Sequence, residues 1–291
     1  MAESFRYISP QGRSNLALYG LRTRLLEDLY HSFLSSSWRR VFLVVGVAYL
    51  SINSVFASLY LWAGGIENAR PHSFADAFFF SVQTIATIGY GKMSPISLPA
   101  NLLVTVESFC GIVSVAMITG LMFAKFARPS ARVLWSEVAV IATMDGKRSL
   151  MFRVANVRGN QVVEANLRVG LLRSEVSPEG VPIRRQHDLK LVRPTTAVFA
   201  LSWLAIHAID EGSVLHGQTP ESLKELNAEI FCSLTGLDET FSQTIHSRHS
   251  YSMGEVVWGR RFVDIFGMLP DGRMGVDYTK FHLTQPAPLE G

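Results

Sequence analysis

The sequence predicts a chain in two parts. The first is an α-helical membrane domain of two spanning helices with a short re-entrant helix between them; the second is an all-β sandwich of the immunoglobulin-like class. Three observations carry this. Residues 41–63 and 98–124 are apolar over the width of a bilayer. The connection between them is too apolar for an ordinary external loop, and its helical stretch, 73–84, is too short to span. From Arg132 onward charge rises and the pattern turns to short runs rich in Val, Phe, Trp and Ile.

Taken from the N-terminus, the first element precedes the membrane. The stretch "LLEDLYHSFLSSSW" puts Leu25, Leu26, Leu29, Tyr30, Phe33 and Leu34 on one face, with Glu27, Asp28 and His31 largely elsewhere. That suits a helix lying flat in the inner interface, or a plain cytoplasmic helix. Arginines and the lack of a long apolar core set this region apart from a signal peptide. Residues 41–63 carry no charge; as a helix at about 1.5 Å per residue they reach across the roughly 30 Å of a bilayer core with some tilt. Trp38 and Trp62 bracket them as interface aromatics do.

In the connection, "SFADAFFFSVQT" (73–84) reads as a short helix with Ser73 as N-cap and Asp76 at the third helical position in capping-box fashion. The second span, 98–124, is interrupted only by Glu107 and Gly111. Arg39 and Arg40 precede the first span and Lys125, Arg128 and Arg132 follow the second, whereas the connection holds only Arg70 and Lys92. The positive-inside rule then places both termini in the cytoplasm.

The soluble half follows. Ala165, Leu167, Val169 and Leu171 alternate with polar Asn166 and Arg168, which predicts sheets with one buried face. "MDGK" and "PDGR" read as hairpin turns. The expected division is 1–37 for the N-terminal region, 38–127 for the pore domain and 128–291 for the β-sandwich. A net charge of +3 is too small to argue for a nucleic-acid partner. Cys110 and Cys232 match no metal spacing and imply no disulfide framework. His246 and His249 lack a third ligand at a useful spacing, so they read as solvated or hydrogen-bonded. Nothing resembles a nucleophile–base pair, a G-x-G-x-x-G turn or a voltage-sensor arginine ladder, and no enzyme or cofactor is expected.

Between the short helix and the second span stands "TIGYG": Thr87, Ile88, Gly89, Tyr90 and Gly91. A row of backbone carbonyls aimed at a common axis replaces the water shell of a potassium ion. Aiming successive carbonyls the same way needs backbone conformations that L-residues dislike and glycine adopts cheaply. Ile88 and Tyr90 would then point away from the axis and brace the strand against surrounding helices. One copy per chain cannot close a ring, which predicts a homotetramer. In the second span Gly111, Val115, Thr119 and Phe123 recur every four residues on one face. That face either lines the conduction path or packs against another helix. As lining, Phe123 would set four aromatic rings at the axis, able to gate by excluding water. Gly111 is either a flexing point or a close-packing contact. Glu107, ionisable within a span, is expected behind the filter, bonded to groups of the short helix such as Gln83 or Thr84 rather than binding ions itself. Asn53 is expected to make an interhelical hydrogen bond.

The sequence here resembles the potassium channels, whose signature is TVGYG or TIGYG. The soluble half resembles the cytoplasmic domain of the inward-rectifier potassium channels, in particular the bacterial KirBac group. The matching runs are "FRVANVRGNQVVEA" (152–165), "HAIDEGSVL" (207–215), "EVVWGRRF" (255–262) and "VDYTKFH" (276–282). With "DAFFFSVQTIATIGYG" and "KFARP" (125–129), the likeness runs from about Asp28 to His282.

The resemblance implies a potassium-selective channel in the bacterial inner membrane, with potassium ions in the filter. Tyr90, where less selective relatives have aspartate, favours potassium over sodium. Val115 falls where eukaryotic members often carry an acidic residue that holds polyamines or Mg2+, so strong rectification is not implied; Ba2+ is a further blocker to test. Phe123 falls at the helix-bundle gate, and Phe241, Ser242, Gln243 and Thr244 at a second, cytoplasmic constriction. Gln83 stands where eukaryotic relatives support the filter with a glutamate, and Glu107 would compensate. Arg39, Arg40, Lys125, Arg128 and Arg132 would meet anionic phospholipids or phosphoinositides, each near-surface cation contributing about 1 kcal/mol; alternatively they fix topology. Two other readings are a weakly selective cation channel of the same architecture and a non-conducting membrane sensor.

Overall fold

The protein is described by a computed structural model that covers residues 9, 19–20, 25–127, 131–268 and 270–289. These form two compact units, one from Gly20 through the second span and one from Ala131 onward.

The first unit begins with α1 (Leu25–Ser35), followed after two serines by α2 (Trp38–Ala63). The oxygen of Ser37 caps α2 by accepting from the Arg40 N–H, and Gly64, at φ 65°, ends it. Strand β1 (Ile66–Glu67) pairs with β2 (Ser94–Pro95), and between them lies α3 (Phe74–Ile85). The chain then enters α4 (Leu98–Phe126), whose cap is Ser97. At 26 and 29 residues, α2 and α4 exceed a bilayer core, and each extends beyond its apolar segment toward the expected inner side. Phe56, Ala57 and Tyr60 of α2 pack on Ala77, Phe80 and Ile85 of α3, with the Tyr60 and Phe80 rings edge to face at 5.1 Å.

The N-terminus of α3 corrects the expected capping box. Ser73 does accept from the Asp76 N–H, but the Asp76 carboxylate turns to Arg70, meeting its backbone N–H at 2.8 Å and its guanidinium at 2.9 and 2.9 Å. A two-pronged charged partner outcompetes the Ser73 backbone N–H, which donates instead to the Arg70 carbonyl.

The second unit contains two five-stranded sheets. Its strands are β3 (Val133–Trp135), β4 (Ala139–Met144), β5 (Lys147–Asn156), β6 (Val162–Val176), β7 (Pro182–Leu189), β8 (Thr195–Phe199) and β9 (Ser202–Ala208). After a short α5 (Pro220–Glu225) come β10 (Glu229–Asp238), β11 (Gln243–Ser252), β12 (Val256–Trp258), β13 (Arg260–Phe262), β14 (Phe266–Met268), β15 (Met274–Val276) and β16 (Thr284–Pro286). One sheet runs β11-β10-β6-β7 with β8 also on β6; the other runs β12-β4-β5-β3 with β9 on β5. Ala165, Leu167, Val169 and Leu171 are all buried, facing a core that includes Phe152, Trp203, Leu234 and Tyr251. The "MDGK" turn joins β4 to β5, closing on the Met144–Lys147 pair with Asp145 and Gly146 at φ 51° and 73°, a type I′ geometry.

Strand β5 departs from the expected single buried face. From Ser149 to Asn156 it is buried on both sides. Leu150, Phe152 and Val154 enter the sandwich, while Met151 packs with Phe262 and Ala287, and Ala155 with Ile265 and Phe281, of the C-terminal segment. Arg153 ties that segment down. Only 8% exposed, it donates to the carbonyls of Val263 and Phe281, with its guanidinium 4.8 Å from the Phe262 ring. Burial lowers its pKa from the ordinary arginine value. Arg153→Met is therefore expected to destabilise the β unit by about 1–3 kcal/mol per carbonyl left unpaired. Denaturant unfolding of the detergent-solubilised protein, followed by tryptophan fluorescence, measures this. An unchanged midpoint would mean that Ile265 and Phe281 hold the segment by apolar contact alone.

Candidate functional site

The segment after α3, residues 86–91, takes its start from that helix. The N–H groups of Ala86, Thr87 and Ile88 return to the carbonyls of Val82, Thr84 and Gln83 at 3.0, 3.1 and 2.8 Å, so the last turn of α3 fixes where the strand begins. Thr87, Gly89 and Gly91 then have φ of 56°, 57° and 77°, while Ile88 and Tyr90 stay out of the left-handed region. A left-handed residue at every second position turns successive peptide planes so that their carbonyls share one side, the arrangement that cation coordination requires. Residues 86–91 are exposed in the single chain. Tyr90, at 76%, has little support from its own helices, so the expected bracing cannot come from within one subunit.

The outer end is pinned by the β1–β2 ladder, by Asn68 donating to the Lys92 carbonyl at 3.0 Å, and by the Arg70–Asp76 pair. Behind α3 lies a buried polar network across three helices. Glu107 of α4 accepts from the Ser81 hydroxyl of α3 and from Tyr60 of α2 at 2.5 Å, while Ser81 also lies 3.0 Å from the Asn53 Oδ1 of α2. Asn53, Ser81 and Glu107 are 0% exposed. Glu107 thus faces the helix and bonds one of its groups as expected, but that group is Ser81 instead of Gln83 or Thr84, and Tyr60 of α2 is a second partner. Thr84 donates to the Phe80 carbonyl within its own helix, and Gln83 contributes the backbone oxygen that holds Ile88. Tyr60 and Ser81 escaped sequence reasoning. The available signal was that Asn53 and Tyr60 lie seven apart, on one face of α2.

The stripe on α4 divides. Val115, Thr119 and Phe123 are exposed in the single chain, Phe123 at 73%. Gly111 does not join them. It is buried against the end of α3, where a Cβ would lie 2.8 Å from the Ile85 carbonyl oxygen. Its pore-lining assignment is corrected: it is the close-packing contact, and four-residue spacing drifts around the helix enough to carry Val115 onward clear of α3.

In the β unit Phe241 and Ser242 occupy the four-residue turn between β10 and β11, and Gln243 and Thr244 open β11 opposite Asp238 and Leu237. Ser242 has φ 50°, and the Arg158 guanidinium stands 5.6 Å from the Phe241 ring and 3.6 Å from Asp238. Among the cationic candidates Arg39, Arg40 and Arg132 are exposed, and Arg128 lies outside the described residues. Lys125 is engaged. Its ammonium donates to the carbonyls of Phe33, Leu34 and Ser36 at 3.2, 3.0 and 2.6 Å. Its three protons are directed at α1 and its exit, whereas the sequence alone turns them toward lipid headgroups. Among the described residues no three His, Cys, Asp or Glu side chains cluster to hold a metal, and His249 stacks on Trp135.

Comparison with known proteins accounts for this combination. Residues 133–290 match the family described as inward rectifier potassium channel C-terminal domain, and residues 41–128 match the ion channel family. The chain is 47% identical over 279 residues to the inward rectifier potassium channel Kirbac3.1 of Paramagnetospirillum magnetotacticum, covering 95% of each. It is 31% identical over 310 residues to inward rectifier potassium channel 18 of Homo sapiens, covering 97% of this chain and 71% of the relative. To the G protein-activated inward rectifier potassium channel 1 of Gallus gallus it is 32% identical, covering 97% of this chain and 63% of the relative. Two apolar helices on either side of TIGYG, a β-sandwich later in the sequence and these matches agree: the chain belongs to the inward rectifier potassium channel family, a family of ion channels rather than of enzymes.

Proposed function

We propose that four copies of this chain assemble around residues 87–91 and conduct potassium selectively and passively. The observation that carries the reading is the left-handed backbone at Thr87, Gly89 and Gly91, every second residue of one exposed strand. Tyr90, bare in one subunit, would be braced by the next. The functional division is 1–37, 38–127 and 128–291, with both termini in the cytoplasm and the pore in a bacterial inner membrane. Val115, Thr119 and Phe123 line the inner path, Phe123 forming the helix-bundle gate. The Phe241, Ser242, Gln243 and Thr244 turn forms a cytoplasmic constriction. Arg39, Arg40 and Arg132 meet anionic lipid. Polyamines, Mg2+ and Ba2+ are the candidate blockers, the apolar Val115 offering the first two no acidic partner.

The test is rubidium uptake into liposomes containing the purified protein. Uptake suppressed by potassium and Ba2+ but not by sodium is the expected result. Suppression by sodium would indicate the weakly selective channel, and no uptake under any lipid composition would favour the sensor. Phe123→Ala is expected to raise resting uptake several-fold by widening and wetting the apolar constriction. Uptake equal to that of the parent would move the gate away from Phe123.

A further inference from the structure

α1 ends without a glycine, the Ser36 N–H closing on the Ser32 carbonyl at 2.9 Å. It carries no basic residue in its last turn and is followed by Ser36 and Ser37. Its serines satisfy part of the end: Ser35 and Ser36 hydroxyls bond the His31 and Ser32 carbonyls at 2.7 and 2.6 Å. The carbonyls beyond them, of Phe33 and Leu34, together with that of Ser36, converge on the Lys125 ammonium. A cation at a helix C-terminus meets the negative end of the dipole and the carbonyls that lack intrahelical donors. The same ammonium stands 5.3 Å from the centre of the Trp38 ring, and Trp38 packs on Phe126 at 4.4 Å. The last turn of α4 is thus fastened to the elbow between α1 and α2 from both sides.

From this geometry we infer that Lys125 is a positioning residue: it caps α1 from α4 and locks the inner end of α4 to the α1–α2 elbow. Phe123 lies two residues before it, on nearly the opposite face. Any displacement of Phe123 that moves the inner end of α4 must either carry the elbow along or break the cap. The consequence for flux rests on the channel reading above; the cap itself does not.

Two readouts test the cap whether or not the protein conducts. The intact tetramer in neutral detergent is treated with a limiting amount of an amine-acetylating reagent, and each lysine is followed by peptide mass. Lys125 is expected to react at least about tenfold more slowly than exposed Lys92 and Lys147, because its amine must first leave three hydrogen bonds. Equal reactivity overturns the inference. Lys125→Met and Lys125→Gln are then compared with the parent in vesicles of phosphatidylcholine with increasing phosphatidylglycerol. Amide hydrogen exchange across residues 29–37 is expected to accelerate in both, more in Lys125→Met, since glutamine keeps two donors. Rubidium uptake should change by one factor at every lipid composition. Unchanged exchange with a shifted phosphatidylglycerol midpoint overturns the inference and makes Lys125 a lipid contact. Should Lys125→Met fail to assemble, acetylation of the parent and Lys125→Gln decide the matter.

Discussion

Gly89→Ala is expected to abolish potassium-selective flux while leaving the folded chain intact. Within the chain a Cβ at position 89 meets nothing within 4 Å, so crowding is not the cause. The cause is φ of 57°, a left-handed conformation that costs an ordinary L-residue about 1–2 kcal/mol. A ring of four repeats that cost at every subunit, and the strand relieves it by swinging the peptide plane, which takes a carbonyl off the axis. Thr87 bears the same conformation without being glycine, but its N–H is anchored to the Thr84 carbonyl at 3.1 Å. No such return bond to α3 is made by the Gly89 N–H among the described residues. Rubidium uptake competed with potassium and sodium is the measurement. Alanine at 89 with potassium selectivity retained would remove this strand from the role of filter.

The contrast with Gly111 shows what a sequence makes legible. At Gly89 the demand is local: the backbone must turn left, glycine does so cheaply, and TIGYG announces it. At Gly111 the demand comes from elsewhere, from the Ile85 carbonyl of a different helix. Four-residue recurrence says which residues share a face, not what covers that face, so Gly111 and Phe123 looked alike although one is buried and the other bare. Lys125 repeats the lesson. Its charge at the inner end of a span is readable, but its partners at Phe33, Leu34 and Ser36 lie some ninety residues earlier. So does β5, where alternation in its own residues could not reveal that Ile265 and Phe281 would close the outer face. The strands of β6, the MDGK turn and both spans were readable because period and turn chemistry are local properties.

Glu107→Ala is expected to loosen the filter without touching it. The carboxylate joins three helices through Tyr60 and Ser81, and its removal leaves the buried Tyr60 hydroxyl without its acceptor and Ser81 with Asn53 Oδ1 alone. Each unsatisfied group costs about 1–3 kcal/mol, beyond the space vacated by the side chain. In a bilayer no water is at hand to compensate. Because α3 sets the strand's origin through the Val82, Gln83 and Thr84 carbonyls, any tilt of α3 reaches Thr87 and Ile88 directly. Glu107→Ala should lower the temperature at which the detergent-solubilised tetramer dissociates and let sodium compete with rubidium uptake. Glu107→Gln should recover most of both, since an amide of the same shape still offers an oxygen to one hydroxyl and an N–H to the other. Were alanine to leave dissociation temperature and selectivity where they stand, α3 would owe its position to the apolar contacts of Phe80 and Ile85. Were it to lower stability alone, the network would hold the helices together without aiming the filter.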